Sequence, residues 1–565
     1  MDLPELLELG ARWLEQDPDE ITRRQLRELL DQSRSDSQAQ EELKDCFAGS
    51  LQFGTAGLRG QMGPGPNRMN RVTVMRAAAG LGNYLLSQGQ HGKRIVIGYD
   101  GRHFSRQFAI DSAEVLSGLN FEVHLFAVVV PTPVLAYSIK PLAACAGVMV
   151  TASHNPASDN GYKVYLGDGR QIVPPADQEI AKQISQVGDV RNLLKSSDYE
   201  TTTQELIDQY VRRIAQLVST GPVEPSALKA VQFVYTAMHG VGWDTFSHVL
   251  ALSGFRGVIS VSSQQEPNPD FPTVEFPNPE EPGALDLAIE TAIENSAQVI
   301  LANDPDADRL AVALPDTSGN WQRLKGDQVG MLLGWWLIER SRLQGQTVAG
   351  TFANSIVSST QLADLAKSSG LKFETTLTGF KWVSRVPNLI YGYEEALGYC
   401  VDPESVSDKD GISAAVIFLE LVAYLNTLSK TVWQLLDELA LQFGFNVTDQ
   451  ISVRISDLSE VKSVMTELRQ KGHTNLGNFA VAKFVDLELG ECLPATEGLI
   501  FELAPFDDIR WARIIVRPSG TEPKIKCYLE VMCANSDLNL AKQQSHQALA
   551  KLAEAVEPFL TGGSK

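Results

Sequence analysis

No C-x-x-C pair and no H-E-x-x-H occurs in this chain, and its eight histidines are scattered without metal-ligand spacing. Six cysteines (Cys46, Cys145, Cys400, Cys492, Cys527, Cys533) over 565 residues make neither a disulfide framework nor a zinc site. Reduced thiols in a cytoplasmic protein are the expected state. Positive charge is also short: 48 Lys and Arg against 69 Asp and Glu leave a net charge of -21. That balance argues against nucleic-acid and anionic-membrane partners, which favour basic faces. An anionic substrate would therefore need a local basic pocket. Long apolar runs are missing too. The most apolar stretch, ISAAVIFLELVAYL (412–425), contains Glu420 and is too short to span a bilayer, so a buried helix is expected. The start, MDLPELLELGARWLEQ, is acidic and lacks the basic n-region and apolar core of a signal peptide. There is no G-x-x-x-x-G-K-[ST], and Gly80-Leu81-Gly82 lacks the third glycine of a dinucleotide fingerprint, which excludes the common nucleotide-dependent kinases. G-x-S-x-G is absent as well, which disfavours an α/β-hydrolase.

What is present is a long chain with ordinary apolar content, 44%, enough for three to five domains. Residues 1–50 read as a helical extension, with Asp17-Pro18-Asp19 as a break and N-cap before TRRQLRELLDQ. Beyond it, short apolar runs such as RIVIGYD (94–100), AGVMVTA (146–152), VQFVYTA (231–237) and AQVILAND (297–304) alternate with amphipathic segments. That alternation predicts α/β units with mostly parallel sheets covered on both faces. From residue 446 the pattern returns to strands at RIIVRPSGTEPKIKCYLEVMC (513–533) and ends in a helix, a separate α+β domain.

Four stretches carry candidate chemistry. In VTASHNPASDNGYKVY (150–165), Ser153 follows a buried run on an irregular loop, with His154 beside it and Lys163 ten residues on. In ANDPDADRL (302–310), Asp304, Asp306 and Asp308 alternate, which in extended chain puts three carboxylates on one side, where they repel unless a cation sits among them. An EF-hand would need Gly and Glu where Arg309 and Pro315 stand, so that reading fails. All-oxygen ligands suit Mg²⁺ or Mn²⁺, with a phosphoryl oxygen completing the set. The rival is a solvated acidic turn. RPSGTEPK (517–524) offers hydroxyls and free amides from Ser519, Gly520 and Thr521 between Arg517 and Lys524, either a phosphate cradle or a plain hairpin turn. TLTGFKWV (376–383) and YGYEEALGY (391–399) place Gly379, Lys381 and the pair Glu394-Glu395 in two nearby loops, suited to sugar hydroxyls or else an exposed acidic turn. FGTAGLRG (53–60) with Arg59, and GYDGRHFS (98–105) with Asp100, Arg102 and Ser105, are weaker signals.

TASHNP, DPDADR, the YEEALG loop and RPSGT stand in the order and spacing of the α-D-phosphohexomutase superfamily, which this chain resembles from about residue 50 onward. GTAGLRG and KDG (409–411) also fit, and GYKVY, TGFKWV and EEALGY look most like the phosphoglucomutase and phosphopentomutase branch. The resemblance implies a four-domain α/β architecture around a central cleft: three related α/β domains with mixed sheets at 51–205, 206–322 and 323–445, and a C-terminal α+β domain at 446–565. By the same resemblance Ser153 is the phosphoserine, and one Mg²⁺ is held by its phosphoryl oxygen with Asp304, Asp306 and Asp308. His154 and Lys163 stand beside the serine, either of them able to take or return a hydroxyl proton, for which a lysine near cations can have the lowered pKa required, and Arg59 lines the cleft. Arg309 contacts the phosphoserine or the sugar. Gly379, Lys381, Glu394 and Glu395 bind sugar, and Arg517, Ser519, Gly520 and Thr521 hold the non-reacting phosphate.

The activity so implied is an isomerase: a cytoplasmic phosphosugar mutase interconverting 1- and 6-phosphates, glucose first, through a sugar 1,6-bisphosphate intermediate that also serves as activator. Its partners are small phosphosugars, and oligomeric state is not readable. Ala396 departs from the serine that many members carry in the sugar loop, which leaves mannose and pentose phosphates as rivals, and bisphosphate synthesis is a further one because the motifs do not show the choice of phosphoryl donor. A metal-dependent phosphatase or a non-catalytic phosphosugar-binding paralogue are the readings from another class.

Overall fold

The computed structural model describes residues 1–54, 57–202, 204–455, 458–471, 474–491, 493–518 and 524–560. It divides into two compact units, one of residues 1–324 with 397–424, the other of residues 325–396 with 425–565.

The first unit begins with three helices, Leu3–Gln16, Glu20–Gln32 and Ser37–Cys46. Asp2, Asp19 and Asp36 cap them, each carboxylate accepting a first-turn amide that the helix itself leaves unpaired. Asp19 is thus the cap that its sequence position predicts. The helices' apolar faces, with Leu6, Trp13, Leu26 and Leu43, share one core with Leu58, Met69, Val72 and Met75 of the following domain.

Two sheets follow in the same unit. The first orders its strands as Leu58–Gln61, Asp159–Leu166, Ala146–Val150, Arg94–Tyr99, Glu122–Phe126 and Glu200–Thr202. Its last four are parallel and its first two antiparallel, so the sheet is mixed. Ala146–Val150 is buried at every residue, as its unbroken apolar run requires of a central strand. The second sheet runs Trp321–Arg323, Ala311–Pro315, Val299–Ala302, Gln232–Thr236 and Gly257–Ser260, with the last three parallel. Ile412 to Leu425 lies in the helix Gly411–Thr427 and is largely buried, matching expectation. No single helix among the described residues is long and apolar enough to cross a membrane.

The second unit holds three parallel strands, Lys372–Thr376, Thr351–Ser355 and Leu389–Glu394. It also contains an antiparallel sheet ordered Phe445–Arg454, Lys524–Cys533, Ile509–Pro518, Leu499–Leu503, Phe479–Asp486 and Asn475–Leu476. The helix Leu538–Leu560 covers one face, burying Leu549, Leu552 and Val556 against Ile514, Leu529 and Val531. Cys46, Cys145, Cys400, Cys527 and Cys533 are free thiols; Cys492 lies outside the described residues.

Candidate active site

Ser153 lies three residues past Ala146–Val150, and Asp304 lies two past Val299–Ala302, each beyond the carboxyl end of a strand in a parallel run. Ligands of α/β sheets gather at such ends. Ser153 has φ +53°, a left-handed conformation that costs a serine about 1–3 kcal/mol. Its own amide donates to Thr151 Oγ1 at 2.9 Å. Its Oγ donates to Asp304 Oδ2 at 2.7 Å and lies 3.2 Å from His154 Nδ1. The antiparallel strand Asp159–Leu166 returns beside Ala146–Val150 with Lys163 opposite Met149. That pairing is how GYK brings the lysine back to the serine.

The carboxylates converge, but not by strand alternation. Residues 304–308 form a tight turn with Ala307 at φ +57°, and Asp304, Asp306 and Asp308 place one oxygen each within 4.8 Å of one another. Backbone packing holds the turn. A side chain at Gly240 would meet the Cα of Pro305 at 2.3 Å, and one at Gly411 would meet the carbonyl of Arg309 at 2.2 Å. Val241 N donates to Pro305 O at 2.8 Å. All three aspartates are buried.

Lys163 Nζ donates to Asp306 Oδ2 at 2.6 Å and to Asp308 Oδ2 at 2.8 Å. Burial alone would push its ammonium down, but Asp306 and Asp308 outweigh burial and hold it above the ordinary lysine value. The expectation of a lowered lysine pKa is therefore corrected: Lys409 and Arg59 do push it down, but Asp306 and Asp308 outweigh them. Burial, then Asp306 and Asp308, push the Asp304 carboxyl up to about 8. At Asp308 burial acts the same way but is overcome by Lys163 and Lys409, which hold it below the usual range. Burial, with the guanidinium charges of Arg309 and Arg59, keeps His154 well below its ordinary value and so neutral near pH 7. Arg59 Nη1 donates to Asn155 Oδ1 at 3.2 Å, and Arg309 lies 3.9 Å from Asp304 and 3.7 Å from Glu280.

Two groups here were not singled out from sequence. Lys409, of KDG, reaches Asp308 Oδ2 at 3.1 Å. Thr132 Oγ1 donates to Asp306 Oδ2 at 2.6 Å while its amide binds the Asp306 carbonyl at 2.9 Å. The KDG motif was a legible signal for the first; nothing local marks the second. The remaining Oδ1 atoms of Asp306 and Asp308 are buried without a hydrogen-bond partner. A buried carboxylate oxygen left so is costly, and a hard divalent cation is the ligand such oxygens suit. The residues present fit one.

In the second unit, Glu394 and Glu395 accept from different donors. Glu394 Oε1 accepts from the amide of Gly379 at 2.6 Å, and Gly379 takes φ +105°. Glu395 Oε2 instead accepts from Ser355 and Ser358 hydroxyls at 3.0 and 2.9 Å. Lys381 sits on the short helix Phe380–Val383. Arg517 Nη1 donates to Thr378 Oγ1, which joins the expected phosphate strand to the Gly379 loop. Ser519, Gly520 and Thr521 lie outside the described residues.

Four domains of phosphoglucomutase/phosphomannomutase match in order: α/β/α domain I over residues 50–191, domain II over 208–319, domain III over 325–443 and the C-terminal domain over 504–555. The chain belongs to the phosphoglucomutase/phosphomannomutase family. Among similar proteins, a probable phosphomannomutase of Haemophilus influenzae is 48% identical over 82% of this chain and 93% of its own. Human phosphopentomutase is 35% identical over 96% and 94%, and human glucose 1,6-bisphosphate synthase 34% over 99% and 94%. The phosphoglucomutase pp63/parafusin from Paramecium shares the fold, with a TM-score of 0.70 at 20% identity, covering 92% of this chain and 97% of that one. The α-D-phosphohexomutase superfamily and the four-domain α/β architecture are as the motifs imply. This family member is a phosphosugar mutase, an isomerase acting by intramolecular phosphotransfer.

Proposed function

We propose that this mutase interconverts sugar 1-phosphates with their terminal phosphates by carrying a phosphoryl group on Ser153, glucose 1-phosphate first among its substrates. The observation that carries this reading is the Ser153 hydroxyl standing 2.7 Å from Asp304, inside a buried three-carboxylate cluster. Asp304, Asp306 and Asp308, with a phosphoryl oxygen on Ser153, would hold one Mg²⁺, which when bound neutralises charge on the transferring group.

In the first transfer the bond from Ser153 Oγ to phosphorus breaks and a bond forms from the sugar hydroxyl oxygen to phosphorus. The sugar hydroxyl gives up its proton as its bond forms, and the departing Ser153 Oγ takes one up; His154 Nδ1, 3.2 Å from that Oγ, would relay the proton there. The resulting 1,6-bisphosphate turns end for end, and Ser153 takes back the other phosphate. Arg59, Arg309 and Lys163 supply positive charge around the reacting phosphate. Gly379, Lys381, Glu394 and Glu395 would hold the sugar, and Arg517 with Ser519, Gly520 and Thr521 the non-reacting phosphate. Arg517 supports that role through its bond to Thr378, next to Gly379.

The human phosphopentomutase relative favours a second reading of substrate within the same chemistry, ribose or deoxyribose 1-phosphate. A coupled assay across glucose, mannose, ribose and deoxyribose 1-phosphates, with and without Mg²⁺ and glucose 1,6-bisphosphate, decides between them. Net accumulation of bisphosphate would point to synthase activity, as in the human relative of that name. Ser153→Ala is expected to lower turnover by at least about 1,000-fold with the fold intact, since the covalent route is gone. Near-normal mutase activity in that variant would overturn the assignment.

A further inference from the structure

Arg102 lies on the loop after Arg94–Tyr99 and touches none of the residues assigned to the chemistry except through the backbone of the serine loop. Its side chain is 1% exposed. Nη2 donates to the carbonyls of Ser153 and Asn155, both at 2.6 Å. Nη1 donates to the carbonyls of Pro156 and Asp159, at 2.7 and 3.2 Å. One side chain thus binds four carbonyls of a single seven-residue stretch, including that of the serine in its left-handed conformation. The arginine is itself fixed. Asp100 lies 3.4 Å from its Nε and accepts from its backbone amide at 3.0 Å, while Ser105 Oγ donates to the same carboxylate at 2.6 Å. The ring of Phe271 covers the guanidinium at 4.8 Å. Asn160 Nδ2 donates to Ser105 Oγ and the His103 carbonyl, closing the two loops on each other.

Burying a guanidinium is costly unless its donors are met. Here Nη1 and Nη2 are met by carbonyls of the turn that aims Ser153 Oγ, while Nε makes no hydrogen bond and has only the charge of Asp100 at 3.4 Å. We propose that Arg102 is the positioning residue for phosphoryl transfer: it holds Ser153 in its left-handed conformation, so that Oγ stays in line with the carboxylate cluster. The inference rests on Ser153 being the phosphoryl carrier. Only arginine suits the place, because lysine offers three donors from one atom and cannot span acceptors distributed over two nitrogens.

The test uses the full-length chain, glucose 1,6-bisphosphate as phosphoryl donor and intact-mass detection of phosphate on Ser153 in a single turnover. Arg102→Lys is expected to slow phosphorylation of Ser153 and kcat by about 100-fold, the loss that a misplacement of about 1 Å brings. KM for the sugar 1-phosphate should stay within about threefold, because ground-state binding is untouched, and the thermal midpoint should change little. In Arg102→Ala, added methylguanidinium should recover part of kcat. A folded Arg102→Lys variant phosphorylated at the wild-type rate overturns the proposal, as does a parallel fall in kcat, KM and thermal midpoint. Failure of both variants to fold would make Arg102 purely structural, and also overturns it. If the wild-type chain itself takes no phosphate on Ser153, it is the carrier assignment that falls; if wild type is phosphorylated and Arg102→Lys equally fast, the positioning role alone falls.

Discussion

At the scale of single residues, the site is an exchange of charges that sequence spacing only half displays. Three aspartates in nine residues announce a cation, but their partners come from elsewhere in the chain: Lys163, Lys409, Thr132 and Ser153. Thr132 shows how the placement works. Its hydroxyl orients Asp306 without lying in the expected ligand set, so Thr132→Val should raise the Mg²⁺ concentration needed for half-maximal turnover by about 10-fold, as loss of a supporting hydrogen bond does at metal sites. Chelation by EDTA should abolish wild-type turnover, and Mg²⁺ should restore it. An unchanged Mg²⁺ dependence in Thr132→Val would remove the threonine from the site's working parts. Glu394 and Glu395 teach the same lesson: adjacent in sequence, they accept from different donors, because the strand ends at Glu394 and the chain turns at Glu395.

At the scale of elements, a buried carboxylate pins segments that are far apart in sequence. Asp327, at the start of the helix Gly326–Leu343, accepts from the Ser359 amide at 2.7 Å, the Tyr393 hydroxyl at 2.9 Å and the Thr448 hydroxyl at 2.9 Å. Burial lifts its carboxyl to about 7, with the charges of Glu395 and Glu530 adding and the Ser359 amide opposing. A carboxyl raised in the fold stabilises when protonated. That contribution is therefore full below the ordinary value of about 3.9 and is lost as pH rises through about 7. Asp327→Asn cannot ionise. The thermal midpoint of the wild-type chain should accordingly fall against that of Asp327→Asn as pH rises from about 5 to about 8. A difference that stays constant over that range would show that ionisation of Asp327 is not coupled to folding.

At the scale of the molecule, the N-terminal helices are built into the first unit rather than appended to it. Trp13, Leu26 and Leu43 are buried in one core with Leu58, Met69 and Val72. The Arg76 guanidinium lies over Trp13 at 5.6 Å and donates to Gln16 at 3.3 Å. Each large apolar side chain uncovered costs about 1.5–3 kcal/mol, so losing several approaches the whole stability of a domain, about 5–15 kcal/mol. A chain lacking residues 1–46 should be poorly soluble, or melt well below the full-length protein in a thermal scan. A soluble truncation with the full-length midpoint would show that the extension carries no stability.

Read as residues alone, the chain declares its α/β class, its buried Ile412–Leu425 helix, its Asp19 cap and the stretches that carry its chemistry. Each of these is local: apolar periodicity, a capping carboxylate or a short motif acts over a few residues, and backbone geometry translates it directly. The tertiary structure alone decided that residues 304–308 turn rather than extend, that Lys163 faces carboxylates and keeps its charge, and that Lys409 and Thr132 complete the cluster. It also decided that Arg102, on a loop with weak signals of its own, binds the serine turn at four points. These are contacts between residues some 50 to 170 positions apart, set by which strands pair and how closely backbones pass, and no local spacing carries that information.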